Sequence, residues 1–151
     1  MKTVLIRECT HHDIDEILQL DIQWDQENIA HEFDLVSREE FIANLERFQT
    51  YFLVAENDGR IIGYVNGTVR LGQGVAVIPE QERYLEIENI YVKPEFRNRH
   101  IGGRLIERLL EIAEQNGIMR FLVATVSKDM DRVLNFYRSH GFKPWYVQMF
   151  K

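Results

Sequence analysis

The sequence predicts a mixed α/β (α+β) fold with one central sheet, mostly antiparallel but containing a parallel strand pair. Its periodic patterns follow the order strand, two helices, three strands, helix, strand, helix, strand. Asn57-Asp58-Gly59 is a turn signal between two apolar strands, which indicates an antiparallel hairpin. In the C-terminal half a strand precedes each helix, and that order requires a parallel pair joined by a crossover helix. The 151 residues contain no linker or repeat, so residues 1–151 are predicted to form a single domain.

The N-terminal third is predicted to be a strand followed by two helices. The strand runs from Val4 to Glu8, and capping-box patterns at Thr10 and Ser37 begin the two helices. Residues 24–36 show no regular period and are interpreted as a loop or broken helix.

Three strands are predicted in the middle of the chain, over residues 51–56, 60–71 and 84–92. Within the last of them the apolar phase changes between Ile87 and Ile90. Either both faces of that strand are covered, or a β-bulge near Glu88-Asn89 shifts the phase. The bulge is the favoured interpretation.

The C-terminal part is predicted to contain two helices and two strands. The clearest helix spans residues 102–116 and ends at Gly117. A strand over residues 121–126, a helix over 130–140 and a final strand over 146–150 complete the pattern.

Composition excludes several classes of protein. Cys9 is the only cysteine, so an internal disulfide framework is impossible, and a small buried thiol is the expected role. No apolar run approaches the roughly 20 residues of a membrane helix, and the N-terminus lacks a signal-peptide pattern. A cytoplasmic protein with no membrane partner is therefore expected.

The charge is unevenly distributed. Residues 13–46 hold eleven acidic residues and one basic residue, a net charge of −10, whereas the whole chain carries −6. An acidic half argues against a nucleic-acid partner, since phosphate binding needs clustered Lys and Arg. It is compatible with a cationic substrate and equally with two amphipathic helices whose outer faces are solvated.

A basic, glycine-bearing stretch precedes the clearest helix. Its residues are Arg97, Asn98, Arg99, His100, Ile101, Gly102, Gly103 and Arg104. A helix N-terminus presents unpaired N–H groups to anions, and glycines let a phosphate approach the backbone, so a diphosphate ligand is predicted. Neither a Walker P-loop nor a dinucleotide-binding pattern is present. The alternative is that the glycines only permit tight packing of the helix on the sheet.

Two segments carry a family resemblance. Residues 90–102, Ile-Tyr-Val-Lys-Pro-Glu-Phe-Arg-Asn-Arg-His-Ile-Gly, resemble the signature of the GNAT superfamily of CoA-dependent N-acetyltransferases. Residues 135–142, Asn-Phe-Tyr-Arg-Ser-His-Gly-Phe, are similar to the family's later Tyr-x-x-x-Gly-Phe segment. The order of elements over nearly the whole chain also resembles the family fold.

The resemblance implies an acetyl-CoA donor and a GNAT-like sheet with helices on both faces and a splayed parallel pair. Residues 97–103 would hold the CoA pyrophosphate with backbone amides. Ile90, Tyr91 and Val92 would run beside the pantetheine arm like an extra strand. An amine acceptor would bind against the acidic segment, with Trp24, Phe33 and Trp145 as candidate packing residues there or in the core.

Two positions depart from the family pattern. His100 stands where the family usually has a glycine, although histidine tolerates positive φ better than most residues. Met130 replaces an asparagine that many relatives carry seven residues before the tyrosine. Both departures leave open a non-catalytic acyl-CoA sensor as the alternative function.

Catalytic roles follow from the same resemblance. An ammonium acceptor must lose a proton before attack, and Glu88 is the first candidate base, with Glu86 in reserve. Tyr137 is the candidate general acid for the leaving thiolate, and a backbone N–H near Tyr91 or Val92 would polarise the thioester carbonyl. The alternatives are an exposed strand face for Glu88 and a half-buried packing role for Tyr137.

Two further expectations concern metals and assembly. His11, His12 and His31 lack the spacing of a metal site, and no metal is predicted. The aromatic C-terminal residues 145–150 and the resemblance together favour a homodimer.

Overall fold

The computed structural model describes residues 3–27 and 35–151. Its strands are β1 (Leu5–Glu8), β2 (Phe52–Asn57), β3 (Arg60–Leu71), β4 (Arg83–Val92) and β5 (Phe121–Val123). Its α-helices are α1 (Ile14–Gln26), α2 (Arg38–Phe48), α3 (Ile101–Gln115) and α4 (Met130–Ser139). Short 3₁₀ turns precede α1 and β2 and follow β4.

The five strands form one mixed sheet in the order β1-β2-β3-β4-β5. The first three pairings are antiparallel, and β4 pairs with β5 in parallel across the α3 crossover. This confirms the predicted fold class.

Helices cover both faces of the sheet, as the resemblance implied. On one face α1 and α2 bury a cluster that includes Ile17, Phe41 and Tyr64. On the other face α3 buries Leu105 and Leu109. Burial of such side chains is the main source of folding free energy, and it fixes both helix layers against the sheet.

The predicted bulge is present in β4. Asn66 pairs with Asn89 and Gly67 pairs with Ile87, so Glu88 has no residue opposite it on β3. The extra residue explains the change in apolar phase, because it moves the residues after it to the other face of the strand.

β4 and β5 separate soon after they pair. The parallel ladder joins Leu85 to Phe121 and ends with Ile87 opposite Val123. β4 continues for five more residues, to Val92, without β5 beside it. The prediction that β5 extends to residue 126 was therefore wrong, because β4 no longer offers backbone partners there. The gap between the strands is the splay that the resemblance implied.

Two other boundaries differ from the predictions. Helix α1 continues through Trp24 to Gln26, where a loop was expected, and the Trp24 ring stacks on Tyr91 at 5.4 Å. The predicted final strand over residues 146–150 was wrong: residues 142–151 form no strand. Its side chains are largely exposed, 87% for both Met149 and Phe150, and a strand needs backbone partners that the described chain does not supply.

The expectation of a buried thiol is confirmed. Cys9 is completely buried, and burial is the main cause that raises the pKa of its thiol to about 12. None of the helices described is long and apolar enough to cross a membrane.

Candidate active site

The gap between β4 and β5 opens into a cleft of about 1290 Å³. β4 forms one wall through residues 87–92, and the exit of β5 forms the other through residues 123–127. The first turn of α3 and one face of α4 close the ends. All the residues predicted to bind the cofactor except Arg99 line this cleft: Ile90, Tyr91, Val92, Arg97, Asn98, His100, Ile101, Gly102, Gly103 and Arg104.

The free edge of β4 offers backbone groups to a ligand. The Lys93 N–H donates to the Ile62 carbonyl at 2.9 Å. In an antiparallel pair, every second residue of a strand hydrogen-bonds to the neighbouring strand, and the residues between point their N–H and C=O groups the other way. The register therefore turns Tyr91 towards β3 and directs the N–H and C=O groups of Ile90 and Val92 towards the cleft. Of the two amides considered for the thioester carbonyl, the geometry favours Val92.

The turn before α3 bends with two left-handed residues. His100 has φ 60°, the conformation expected for a residue at the family's glycine position. Asn98 has φ 60° as well, and the sequence interpretation did not single it out. Asparagine also tolerates this region, so Asn98 and His100 together form the turn that presents the first N–H groups of α3.

Gly102 and Gly103 are not required by the packing of the protein. A Cβ at Gly102 would lie 3.7 Å from Phe136, and one at Gly103 would lie 3.5 Å from His140, both ordinary contacts. Both glycines are helical, where alanine is more stable by up to about 1 kcal/mol. The packing alternative is therefore disfavoured, and the missing side chains instead leave room on the cleft side of the helix start.

Arg97 is engaged by protein groups. Its guanidinium donates to both carboxylate oxygens of Glu27, at 2.6 and 2.9 Å, and its Nε donates to the Val92 carbonyl. Tyr91 also donates its hydroxyl to Glu27, and this bond and burial raise the pKa of the Tyr91 phenol. The charge of Arg97 is thus balanced by α1, and an anion at the turn would be bound chiefly by backbone amides.

The other arginines of the stretch are held differently. Arg104 donates to the Val4 carbonyl at 3.0 Å, near the start of β1. Arg99 lies over the Phe96 ring, with 5.6 Å from its guanidinium carbon to the ring centroid.

The bulge directs Glu88 into the cleft wall. Its Oε1 accepts hydrogen bonds from the Thr68 hydroxyl at 2.7 Å and from Arg70 at 3.3 Å. Glu86, the reserve candidate, does not line the cleft and pairs with the Arg70 Nε at 2.5 Å. The structure thus separates two carboxylates that the sequence left as alternatives.

Tyr137 reaches the cleft from α4. It is 8% exposed and lies edge-on to the rings of Phe136 and Phe142. Burial raises the pKa of its phenol to about 12, so the hydroxyl keeps its proton at neutral pH. A protonated phenol beside a cleft is suited to donate a proton to a leaving group.

Comparison with known proteins supplies the family. Residues 12–142 match the acetyltransferase (GNAT) family. The chain belongs to this family. It is therefore an acyltransferase, and the resemblance found in its two motifs is confirmed.

Curated relatives carry matching names. The chain is 28% identical over 145 residues to an uncharacterized N-acetyltransferase of Methanocaldococcus jannaschii, covering 95% of this chain but 62% of that protein. It is 25% identical to an N-alpha-acetyltransferase of Sulfurisphaera tokodaii, covering 94% of this chain and 81% of that one.

Solved structures share the GNAT fold. The aminoglycoside acetyltransferase AAC(6')-Iy, in complex with a CoA bisubstrate analogue, aligns with a TM-score of 0.75 at 18% identity, covering 99% and 97% of the two chains. An acetyltransferase of Clostridium acetobutylicum solved with acetyl-CoA aligns with a TM-score of 0.72 at 19% identity, covering 97% and 96%. At these identities the likeness establishes the fold.

Several carboxylates of the acidic segment of this GNAT protein are engaged by contacts. Within residues 13–27 and 35–46, the ion pairs with arginine are Asp13–Arg7, Asp15–Arg38, Glu16–Arg60 and Glu27–Arg97, and Glu46 contacts His11. Asp21 is buried, where it accepts from the Tyr64 hydroxyl and the Val36 N–H, and burial raises the pKa of its carboxyl. These carboxylates stabilise the helix layer, so the net charge of the segment is weak support for a cationic substrate.

Several cleft residues were not found from the sequence. They include Asn89, Phe136, His140 and residues 123–127, whereas Trp24, one of the packing candidates, does line the cleft. The predicted parallel pair could have identified residues 123–127, because two strands that separate both line the gap between them. Among the packing candidates for the acceptor, Trp145 does not line the cleft, and Phe33 lies outside the described residues.

The histidine predictions are partly tested. His11 contacts Glu46 at 3.3 Å on the surface, and His31 lies outside the described residues. Within residues 3–27 and 35–151, no group of three or more His, Cys, Asp or Glu side chains is arranged to hold a metal.

Proposed function

We propose that this single-domain GNAT protein transfers an acetyl group from acetyl-CoA to a primary amine, by direct attack in a ternary complex. The observation that carries the proposal is the shared cleft. One end holds the glycine-bearing start of α3, the middle holds the free edge of β4, and both Glu88 and Tyr137 line it.

The cleft fits acetyl-CoA in three respects. The unpaired N–H groups of α3 and the bare surface at Gly102 and Gly103 suit the pyrophosphate. The cleft-facing N–H and C=O groups of Ile90 suit an amide of the pantetheine arm, which would then extend the sheet. Two structural neighbours are themselves solved with CoA-containing ligands.

The reaction requires three proton transfers and one bond exchange. Glu88 takes one proton from the acceptor ammonium, and the freed amine attacks the thioester carbonyl. The C–N bond forms, the C–S bond breaks, and the N–H of Val92 stabilises the negative oxygen between these events. The attacking nitrogen gives up its second proton to solvent as the intermediate collapses. Tyr137 gives its proton to the departing thiolate and recovers one from solvent.

The acceptor is proposed only as a primary amine, on a small molecule or a protein. One relative is named an N-alpha-acetyltransferase and one structural neighbour an aminoglycoside acetyltransferase. A panel of spermidine, kanamycin, a lysine-containing peptide and a peptide with a free N-terminal alanine spans these classes. Release of free CoA thiol with one panel member supports the enzyme. Binding of acetyl-CoA without thiol release from any of them identifies the non-catalytic sensor instead.

Acetyl-CoA is expected to raise the melting temperature. A ligand that binds only the folded state stabilises it by RT ln(1 + [L]/Kd), about 2.7 kcal/mol at 100 times Kd. Differential scanning fluorimetry with acetyl-CoA up to millimolar concentration measures the shift, with ADP as the control diphosphate. An unchanged melting temperature with acetyl-CoA would exclude both the enzyme and the sensor.

The exposed tail leads us to propose a homodimer. Trp145, Tyr146, Val147, Met149 and Phe150 are each more than half exposed, an unusual density of apolar side chains on a surface. Removing residues 145–151 is expected to convert a dimer into a folded monomer in analytical ultracentrifugation. A full-length chain that sediments as a monomer at tens of micromolar would contradict the proposal.

A further inference from the structure

The contacts of Glu88 involve a residue outside the cleft. Thr68 is 6% exposed and does not line the cleft, yet its hydroxyl lies 2.7 Å from Glu88 Oε1. The two residues are brought together by the bulge, because Glu88 has no backbone partner opposite it and leans over β3. Gly67, beside Thr68 on β3, lets β3 and β4 pack closely before the bulge, because a Cβ there would lie 3.0 Å from Leu85 and 3.2 Å from the Glu86 carbonyl.

The contact matters because a partly exposed glutamate has many rotamers. The Glu88 side chain is 30% exposed, and a base works only when its oxygen lies about 2.6–3.2 Å from the proton that it takes. The Thr68 hydroxyl binds one oxygen and leaves Oε2 for the acceptor. Arg70 reaches the same Oε1, but at 3.3 Å, with its own side chain 52% exposed and shared with Glu86. The short, buried bond from Thr68 is therefore the stronger constraint.

We propose that Thr68 is a positioning residue of the acetyl transfer: its hydrogen bond orients the Glu88 carboxylate so that Oε2 faces the acceptor ammonium. The inference rests on the proposed function, in which Glu88 is the base. The proton passes from the ammonium nitrogen to Oε2, while Thr68 keeps its own proton and continues to donate to Oε1. Once the acetylated amine leaves, Glu88 loses the proton to solvent.

The test is a double-mutant cycle with the best acceptor of the amine panel. Thr68→Val keeps the shape of the side chain and removes the donor, so kcat should fall about 10- to 100-fold, as expected for a misplaced catalytic group. The KM for acetyl-CoA should stay unchanged, and Thr68→Ser, which keeps a hydroxyl, should restore most of kcat. In a Glu88→Gln background, Thr68→Val should cause no further loss, since the two residues act as one unit.

A second readout uses the acceptor itself. Trifluoroethylamine is largely unprotonated at neutral pH and needs little help from a base, so the effect of Thr68→Val should shrink with it. A general packing defect would slow both amines alike. If Thr68→Val does not fold, Thr68→Ala enters the same cycle.

The possible outcomes distinguish the positioning role of Thr68 from the role of Glu88 as the base. Wild-type kcat in a folded Thr68→Val protein overturns the positioning role, and so does an equal loss in the Glu88→Gln background. Wild-type kcat in Glu88→Gln shows instead that the base of the proposed function is wrong, and the inference is then lost with it. An absence of turnover with every panel amine removes the proposed function and this inference together.

Discussion

Replacing Tyr137 with phenylalanine should lower kcat by about 10²- to 10⁴-fold, the usual contribution of general acid catalysis. The ring keeps its place between Phe136 and Phe142, so only the proton donor is lost. The affinity for acetyl-CoA should change little, because the aromatic surface toward the cleft remains. Loss of kcat with unchanged binding is the pattern of an interaction made chiefly in the transition state. Steady-state kinetics and a calorimetric titration with acetyl-CoA measure the two quantities.

The matched control is Tyr51→Phe. Tyr51 is 7% exposed, close to the 8% of Tyr137, and belongs to the same hydrophobic cluster without lining the cleft. Removing that hydroxyl should leave kcat unchanged. If Tyr137→Phe turns over at the wild-type rate, water is the proton donor and the phenol only packs.

Replacing Gly102 with glutamate should raise the Kd for acetyl-CoA by about 100-fold or more. The new side chain would place bulk and a negative charge where the diphosphate approaches the start of α3, and like charges brought together cost several kcal/mol. The fold should survive, because a Cβ at this position meets no atom closer than 3.7 Å and a negative charge stabilises a helix N-terminus. Calorimetric titration and a thermal melt without ligand measure the two effects.

Two further variants at this position separate the effect of the negative charge on acetyl-CoA binding from the effect of side-chain size. Gly102→Gln has nearly the same size without the charge and should weaken binding less. Gly102→Ala should keep the melting temperature or raise it, since alanine favours helix and nothing crowds its methyl group. Unchanged acetyl-CoA affinity in the folded glutamate variant would mean that the diphosphate lies elsewhere.

Much of this architecture was predictable from local pattern. The hairpin at Asn57-Asp58-Gly59, the long β3 and the α3 helix depend on turn chemistry and periodicity that the chain carries locally. The bulge at Glu88 was also readable, because an extra residue leaves a visible change of phase in the apolar pattern. Two motifs in the right order then indicated the GNAT family, which the match over residues 12–142 confirms.

The incorrect secondary-structure predictions concern segments whose structure depends on contacts with distant parts of the chain. Residues 146–150 have the composition of a strand, but a strand exists only where another strand supplies hydrogen bonds, and the described chain supplies none. The predicted strand is absent at residues 124–126 for the same reason, since β4 and β5 have already separated there. Trp24 is helical because it stacks on Tyr91, a contact between residues far apart in the chain.

The sequence alone determined the order of elements as far as α4 and the bulge in β4, because each depends on residues close together in the chain. Only the tertiary structure decided which charges remain available. It pairs Arg97 with Glu27, gives several carboxylates of the acidic segment ion-pair partners, and distinguishes Glu88 from Glu86 through Thr68 and Arg70. The physical reason is that a charge acts through its nearest partners, and the partners of Glu88 and Arg97 lie 18 to 70 residues away in the chain.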